Sequence, residues 1–300
     1  MRRFCIFVVS ILAFLQSFSY SVMAQERVDF DLAKINGHFF FHAKSVKGNS
    51  LQIMLESGLP AFLVSRDFYE QNRSAIHFDS SDSKIRLFNE LYHISFKADD
   101  FVNVGGAVYD GPIFVLDDFE GYSMPIQYLR LPSDSTALVL VDLPNGRLSV
   151  LPRNGVDIDS QLVVSLPMEI DKQIGFPVVE DTIFVESDSN KFSLQGRLVV
   201  DFGNPMLLFL RKQHPSIKDA MDRGSLVLHD AFNSQGEVVS QGLYAQKVTL
   251  LGYTFQEVSI GVTDKMPALN HLGLLGIPFF KVPVLFDFNQ GRMMLLHNHK

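Results

Sequence analysis

Tryptophan is absent from the 300-residue chain, and cysteine occurs once, as Cys5. One thiol cannot close a disulfide within the chain, so the fold must rest on its apolar core. No Gly-x-Ser-x-Gly occurs, which leaves a serine nucleophile on a strained elbow without support. An excess of positive charge is also missing: 26 basic residues face 33 acidic ones, a formal net charge of −7. That balance argues against nucleic acid or an anionic membrane surface as a partner. Beyond the N-terminal stretch, no apolar run approaches the roughly twenty residues a spanning helix needs. What is plentiful is phenylalanine, with 27, and charged residues stand at an ordinary 20%, the composition of an ordered globular chain.

The chain opens with Arg2-Arg3, an apolar stretch from Phe4 to Leu15, and a polar run ending Val22-Met23-Ala24 before Gln25. A charged start, a short apolar core and a small residue at the break predict a signal peptide over residues 1–24. Its core is too short to span a bilayer comfortably. Cys5 precedes that core, so it is not placed for lipid attachment at a processing site. Cleavage after Ala24 removes the one cysteine and two arginines, leaving 276 residues with 24 basic against 33 acidic side chains. The mature protein is expected to be exported, periplasmic or extracellular, without disulfides and without an integral membrane segment. Its length suffices for one large domain or two lobes.

Short apolar or alternating runs recur at 37–43, 51–55, 61–64, 113–116, 137–141 and 147–151. They return at 182–186, 197–200, 206–210, 225–229, 244–250, 257–262, 282–286 and 292–296. Rich in Val, Phe, Ile and Leu and bounded by turn residues, these runs predict strands. Asn145-Gly146 suits a hairpin turn that requires positive φ at both central positions. Helical signals are confined to Ser65–Gln71 and Pro215–Arg223, the second with Gly224 as a stop. The expected fold class is all-β with few short helices.

Glu56-Ser57-Gly58-Leu59-Pro60 and Asp201-Phe202-Gly203-Asn204-Pro205 share the pattern carboxylate-x-Gly-x-Pro. Each follows an apolar run, and they lie 145 positions apart (201 less 56). The same shift carries Arg66 onto Arg211, Asp142 onto Asp287, Gly146 onto Gly291, Arg147 onto Arg292 and Leu151 onto Leu296. A register kept over so many positions predicts an internal duplication with one acid per copy. Two carboxylates brought together across a pseudo-twofold axis share one proton, because like charges at close range cannot both ionise, and such a pair can activate water. Taken singly, either segment is an ordinary strand-to-turn junction; the shared register is what favours a pair.

In the second half, Leu198-Val199-Val200-Asp201-Phe202-Gly203 is followed by Leu272-Gly273-Leu274-Leu275-Gly276-Ile277-Pro278. Then come Val282 to Phe286, Asp287 and the turn Asn289-Gln290-Gly291 before Arg292. This order resembles the retropepsin and pepsin clan of aspartic peptidases. The first half resembles it at Ile53-Met54-Leu55-Glu56-Ser57-Gly58 and at Leu138 to Asp142 with Asn145-Gly146, while its Gly-Leu-Leu-Gly counterpart is missing, residues 128–131 reading Tyr-Leu-Arg-Leu. The resemblance implies two pseudo-symmetric β lobes, residues 25–160 and 161–300, with a peptide- or protein-binding cleft between them. It implies Glu56 and Asp201 as the catalytic pair and Ser57, Gly58, Phe202 and Gly203 as residues that border the substrate. One carboxylate acts as base toward water and the other, protonated, polarises the scissile carbonyl, with no cofactor and no metal. The clan's flap is expected at Lys84–Phe96 or Ala231–Tyr244.

Two residues depart from the clan's pattern. Glu56 stands where the clan has Asp, adding a methylene to a site that tolerates displacements of about 0.5 Å. Phe202 stands where it has Thr or Ser, so Ser57 alone offers a hydroxyl to tie the two loops. An aspartic-type endopeptidase and a catalytically inactive relative that binds peptides or another extended ligand in the cleft therefore both stand. A structural component of the cell envelope on the same duplicated scaffold is a third reading. Asp201-Phe202-Gly203 also echoes the metal-binding triplet of protein kinases, but neither a glycine-rich phosphate loop nor a His-Arg-Asp loop accompanies it. His297 and His299 have no third ligand near them in sequence.

Overall fold

The computed structural model describes residues 27–297 other than 45–47, 49, 88–89, 155, 157, 159–160, 188–189, 233–237, 265 and 267–269. The expected signal peptide, Cys5 and His299 lie outside the described residues. The first half forms β1 (Val28–Ile35), β2 (His38–Lys44), β3 (Ser50–Glu56), β4 (Phe62–Val64), helix α1 (Arg66–Asn72) and β5 (Asp79–Leu87). It continues with β6 (Glu90–Val104), β7 (Ala107–Leu116), β8 (Tyr122–Pro125), β9 (Leu129–Arg130), β10 (Leu138–Asp142) and β11 (Arg147–Leu151). The second half forms β12 (Leu162–Pro167), β13 (Glu169–Ile170), β14 (Pro177–Glu186), β15 (Lys191–Val200), β16 (Leu208–Arg211) and α2 (Pro215–Asp222). It ends with β17 (His229–Phe232), β18 (Val238–Leu250), β19 (Tyr253–Thr263), β20 (Gly273–Leu275), β21 (Val284–Asp287) and β22 (Arg292–Leu296). The chain is mostly β, as its apolar runs predict, and among the described residues no helix is long and apolar enough to cross a membrane.

One pairing scheme occurs twice. Strand β3 runs parallel to β8, with Met54 opposite Ser123, and β15 runs parallel to β20, with Val199 opposite Leu274. Strand β4 lies parallel to β7 and antiparallel to β8, just as β16 lies parallel to β19 and antiparallel to β20. In the second half β14 also pairs with β18, closing β14-β15-β20-β16-β19-β18 into a six-stranded barrel. The matching run β2-β3-β8-β4-β7-β6 has no such closing pair among the described residues.

The two copies meet in the run β12-β22-β21-β10-β11-β1, where β10 and β21 pair antiparallel. Leu140 faces Leu285 in that pair, the residue 145 positions on. The flanking hairpins keep the same register, with Asp142 opposite Arg147 and Asp287 opposite Arg292. Their turns are held alike: Asp142 Oδ1 accepts the Asn145 N–H at 3.1 Å, and Asp287 Oδ1 accepts the Gln290 N–H at 2.9 Å. Gly146 and Gly291 then take φ of 62° and 63°, a left-handed conformation that costs any other residue strain, whereas Asn145, held through its N–H by Asp142, does not take the positive φ expected of it.

One expected strand is absent. Residues 225–229 are not a strand until His229; the Ser225 and Leu226 N–H groups both donate to the Ala220 carbonyl and Leu226 is buried. This apolar run closes α2 and packs its C-terminal end, with Gly224 at φ 67° as the stop. The counterpart of Gly273-Leu274-Leu275 also differs from expectation. Tyr122-Ser123-Met124 fills that place, Ser123 and Met124 lying opposite Met54 and Leu55 as Leu274 and Leu275 lie opposite Val199 and Val200, and a single 3₁₀ turn follows each, Ile126–Tyr128 and Ile277–Phe279. Polar and bulky residues stand there instead of glycines, and the spacing departs from 145, so the equivalence is invisible in sequence.

Candidate active site

Two buried apolar strands deliver the two acids. Ile53 and Leu55 of β3 and Leu198 and Val200 of β15 are fully enclosed, and the acids follow where each strand stops: Glu56 closes β3, and Asp201 follows β15. The Asp201 N–H donates to the Leu275 carbonyl at 2.9 Å, tying its loop to β20. The glycines of the motifs are explained by the opposite copy. A β-carbon on Gly58 would stand 2.9 Å from Asp201 Cγ, and one on Gly203 would fall on Glu56 Oε1. Each glycine thus makes room for the carboxyl group of the other motif, which is why the pattern is carboxylate-x-Gly in both.

Beneath the acids the loops are joined asymmetrically. Ser57 Oγ donates to the Val200 carbonyl at 2.7 Å and accepts the Phe202 N–H at 3.2 Å. Phe202 has no hydroxyl to return the bond; its fully buried ring packs on Phe280 at 4.6 Å and Phe286 at 5.9 Å between centroids. Ser57 and Phe202 therefore lie behind the site, whereas Glu56, Gly58, Asp201 and Gly203 border its cavity. Sequence reasoning missed Gln127. Its amide Nε2 donates to the carbonyls of Ser57 (3.2 Å), Leu59 (3.2 Å) and Gly175 (3.0 Å), clamping the Glu56 loop to the second half. No motif marks this residue, because its place depends on the 3₁₀ turn after β8.

The carboxyl groups of Glu56 and Asp201 are hydrogen-bonded to each other, and both bind their protons more tightly than a free carboxyl group does, Glu56 far more so. For Glu56, 3% exposed, burial raises the affinity strongly, and the Asp201 charge adds to it. Burial also raises Asp201, but less, because the Gly203 N–H at 2.9 Å, the hydrogen bond from Glu56 and the nearby His38 favour its ionised form. Like charges at contact and unequal stabilisation separate the two titrations.

The pair opens onto a cavity of about 520 Å³. Leu59, Arg86 and Leu87 contribute from the first half, and Phe176, Phe209, Thr263 and Leu274 are among those from the second. Both expected flap segments are hairpins that reach it: β5 through Arg86 and Leu87, and β18 through Val238, Ser240 and Gln241. Their tips, 88–89 and 233–237, lie outside the described residues. Tyr92 serves packing, standing edge-on to Phe119 at 5.9 Å with its hydroxyl on Glu90. The chain matches no protein-family model, and no curated protein is similar enough to it to indicate kinship.

Proposed function

We propose that this chain is an aspartic-type peptidase, two related lobes about a cleft in which Glu56 and Asp201 activate water against a peptide bond. The observation that carries this reading is the hydrogen-bonded pair of buried carboxyls on a shared cavity, with each motif glycine shaped to the opposite acid. The methylene added by Glu56 is absorbed over Gly203 and does not splay the pair.

The unequal environments assign the roles. Glu56 keeps the shared proton, and Asp201, steadied by the Gly203 N–H and partly open to the cavity, is the ionised partner. Asp201 accepts a proton from water as its oxygen attacks the scissile carbonyl carbon, while the Glu56 proton passes to the carbonyl oxygen. The resulting gem-diol collapses as the C–N bond breaks, the amine leaving with a proton from the Asp201 carboxyl and the diol returning one to Glu56. No covalent acyl-enzyme forms. An extended peptide lies along the cleft by strand-like hydrogen bonds.

The test is digestion of a mixed peptide library by the wild type and by Asp201→Asn, read as new termini by mass spectrometry. Cleavage by the wild type alone supports the reading. Retention of peptides without new termini points to a binding protein instead, and equal cleavage by folded Asp201→Asn removes the assignment.

A further inference from the structure

The two copies carry the same strands to the pair of acids, yet the space above them is used differently. Leu63 on β4 lies opposite Phe114 of β7 and Ser123 of β8; Phe209 on β16 lies opposite Gly261 of β19 and Leu274 of β20. Leu63 and Phe209 are thus equivalent, as are Phe114 and Gly261, and, two residues on, Leu116 and Thr263. In the second half this face borders the cavity, with Phe209 and Thr263 in its wall. Gly261 keeps it low: a β-carbon there would collide with the Phe209 ring, which lies across the glycine. In the first half the same face is filled. Leu63 is 1% exposed and Leu116 is fully buried, and Ile85, Tyr92, Phe114 and Phe119 pack over them in a separate apolar cluster. Leu59 and Leu87 belong to both features, packing against that cluster while bordering the cavity, so they form the wall between them.

We propose that the substrate site is one-sided: a bulky apolar residue is accepted on the second-half side of the scissile bond, and only a small residue, glycine or alanine, on the first-half side. The inference rests on the peptidase reading above. A side chain entering over the first copy would have to displace a filled core cluster, whereas one entering over the second meets an open apolar wall. Tyr92 and Phe119 are the specificity-determining rings: both are only partly buried, and they cap the first-half cluster in edge-to-face contact.

The test uses four short peptides in which a secondary-alcohol isostere replaces the scissile amide, flanked by Phe–Gly, Gly–Phe, Phe–Phe or Gly–Gly, with binding measured by calorimetry at pH 5. The wild type should bind one of the two mixed orders at least about tenfold more tightly than Phe–Phe, about 1.4 kcal/mol. The double variant Tyr92→Ala/Phe119→Ala should gain about tenfold on Phe–Phe relative to the mixed probe. Equal binding of Phe–Phe and the better mixed probe by the wild type overturns one-sidedness and leaves the peptidase reading standing; this comparison needs no variant to fold. Failure of all four probes to bind overturns both together.

Discussion

The hydroxyl of Ser57 reaches 2.7 Å to the carbonyl of Val200, joining the loop after β3 to the strand that leads into Asp201. Because Phe202 has no hydroxyl, this bond and the one from the Phe202 N–H are a one-way tie. Ser57→Ala leaves a fully buried carbonyl and amide short of a partner, which should cost about 1–3 kcal/mol. Urea unfolding of the variant checks it; a loss below about 0.5 kcal/mol would show that the loops are held by other contacts.

Restoring a hydroxyl at position 202 should not repair the symmetry. Phe202 fills a pocket against Phe280 and Phe286, so Phe202→Ser trades one prospective hydrogen bond for a large void. The expected change is a destabilisation of about 3–5 kcal/mol. Thermal unfolding measures it, and a more stable variant would contradict this packing.

Arg153 and Asp287 form a bidentate pair, 2.7 Å from Nη1 to Oδ2 and 2.5 Å from Nη2 to Oδ1, on a carboxylate that is almost wholly buried. Burial alone would raise the Asp287 pKa, but Arg153 and the Gln290 N–H outweigh it and hold it below the usual value. A depressed folded pKa gives stability that is present above the unfolded value, about 3.9, and lost as pH falls through the folded one. Arg153→Met should therefore cost about 3 kcal/mol at neutrality. The difference should narrow as pH falls, starting where the buried and now unpaired Asp287 of the variant takes up its proton and ending where the paired Asp287 of the wild type does. Denaturation at stepped pH reads this directly, and a difference that widens as pH falls would exclude it.

Glu56 has the opposite sign. Its folded pKa is raised, so above the ordinary glutamic value of about 4.3 the unfolded chain ionises while the folded one keeps its proton, and stability falls as pH rises. Glu56→Gln should be as stable as the wild type in acid, more stable at pH 7, and inactive. Unfolding free energies at pH 4 and 7 test it; a variant less stable at pH 7 than at pH 4, relative to wild type, would reverse the sign.

Much of this architecture is legible in sequence because the two halves use the same local chemistry. Asp142, Gly146, Asp287 and Gly291 build the same turn twice, and the acid-x-Gly segments reveal themselves because each glycine must clear a carboxyl group. The hairpins over the cavity are less legible. Strand β5 reads Asp-Ser-Ser-Asp-Ser-Lys-Ile-Arg-Leu, too polar to register as a strand by its own composition, and it is held by pairing with β6. Gln127 and Ser123 are hidden for another reason: they occupy equivalent backbone places with unrelated side chains and a broken spacing. The closure of one barrel and the filling of the other copy's face arise from contacts between distant strands, which no local pattern encodes.

The pH dependence of cleavage tests the central claim most directly. With one proton shared between Glu56 and Asp201, activity requires the singly protonated pair. Initial rates on a single internally quenched peptide, chosen from the library cuts and measured from pH 3 to 8, should trace a bell with its optimum below neutrality. Its alkaline limb should lie above the ordinary carboxylate range, because burial holds the Glu56 proton, and Asp201→Asn should abolish the whole curve. A rate that keeps rising through pH 8, or a bell that survives Asp201→Asn in the folded protein, would contradict it.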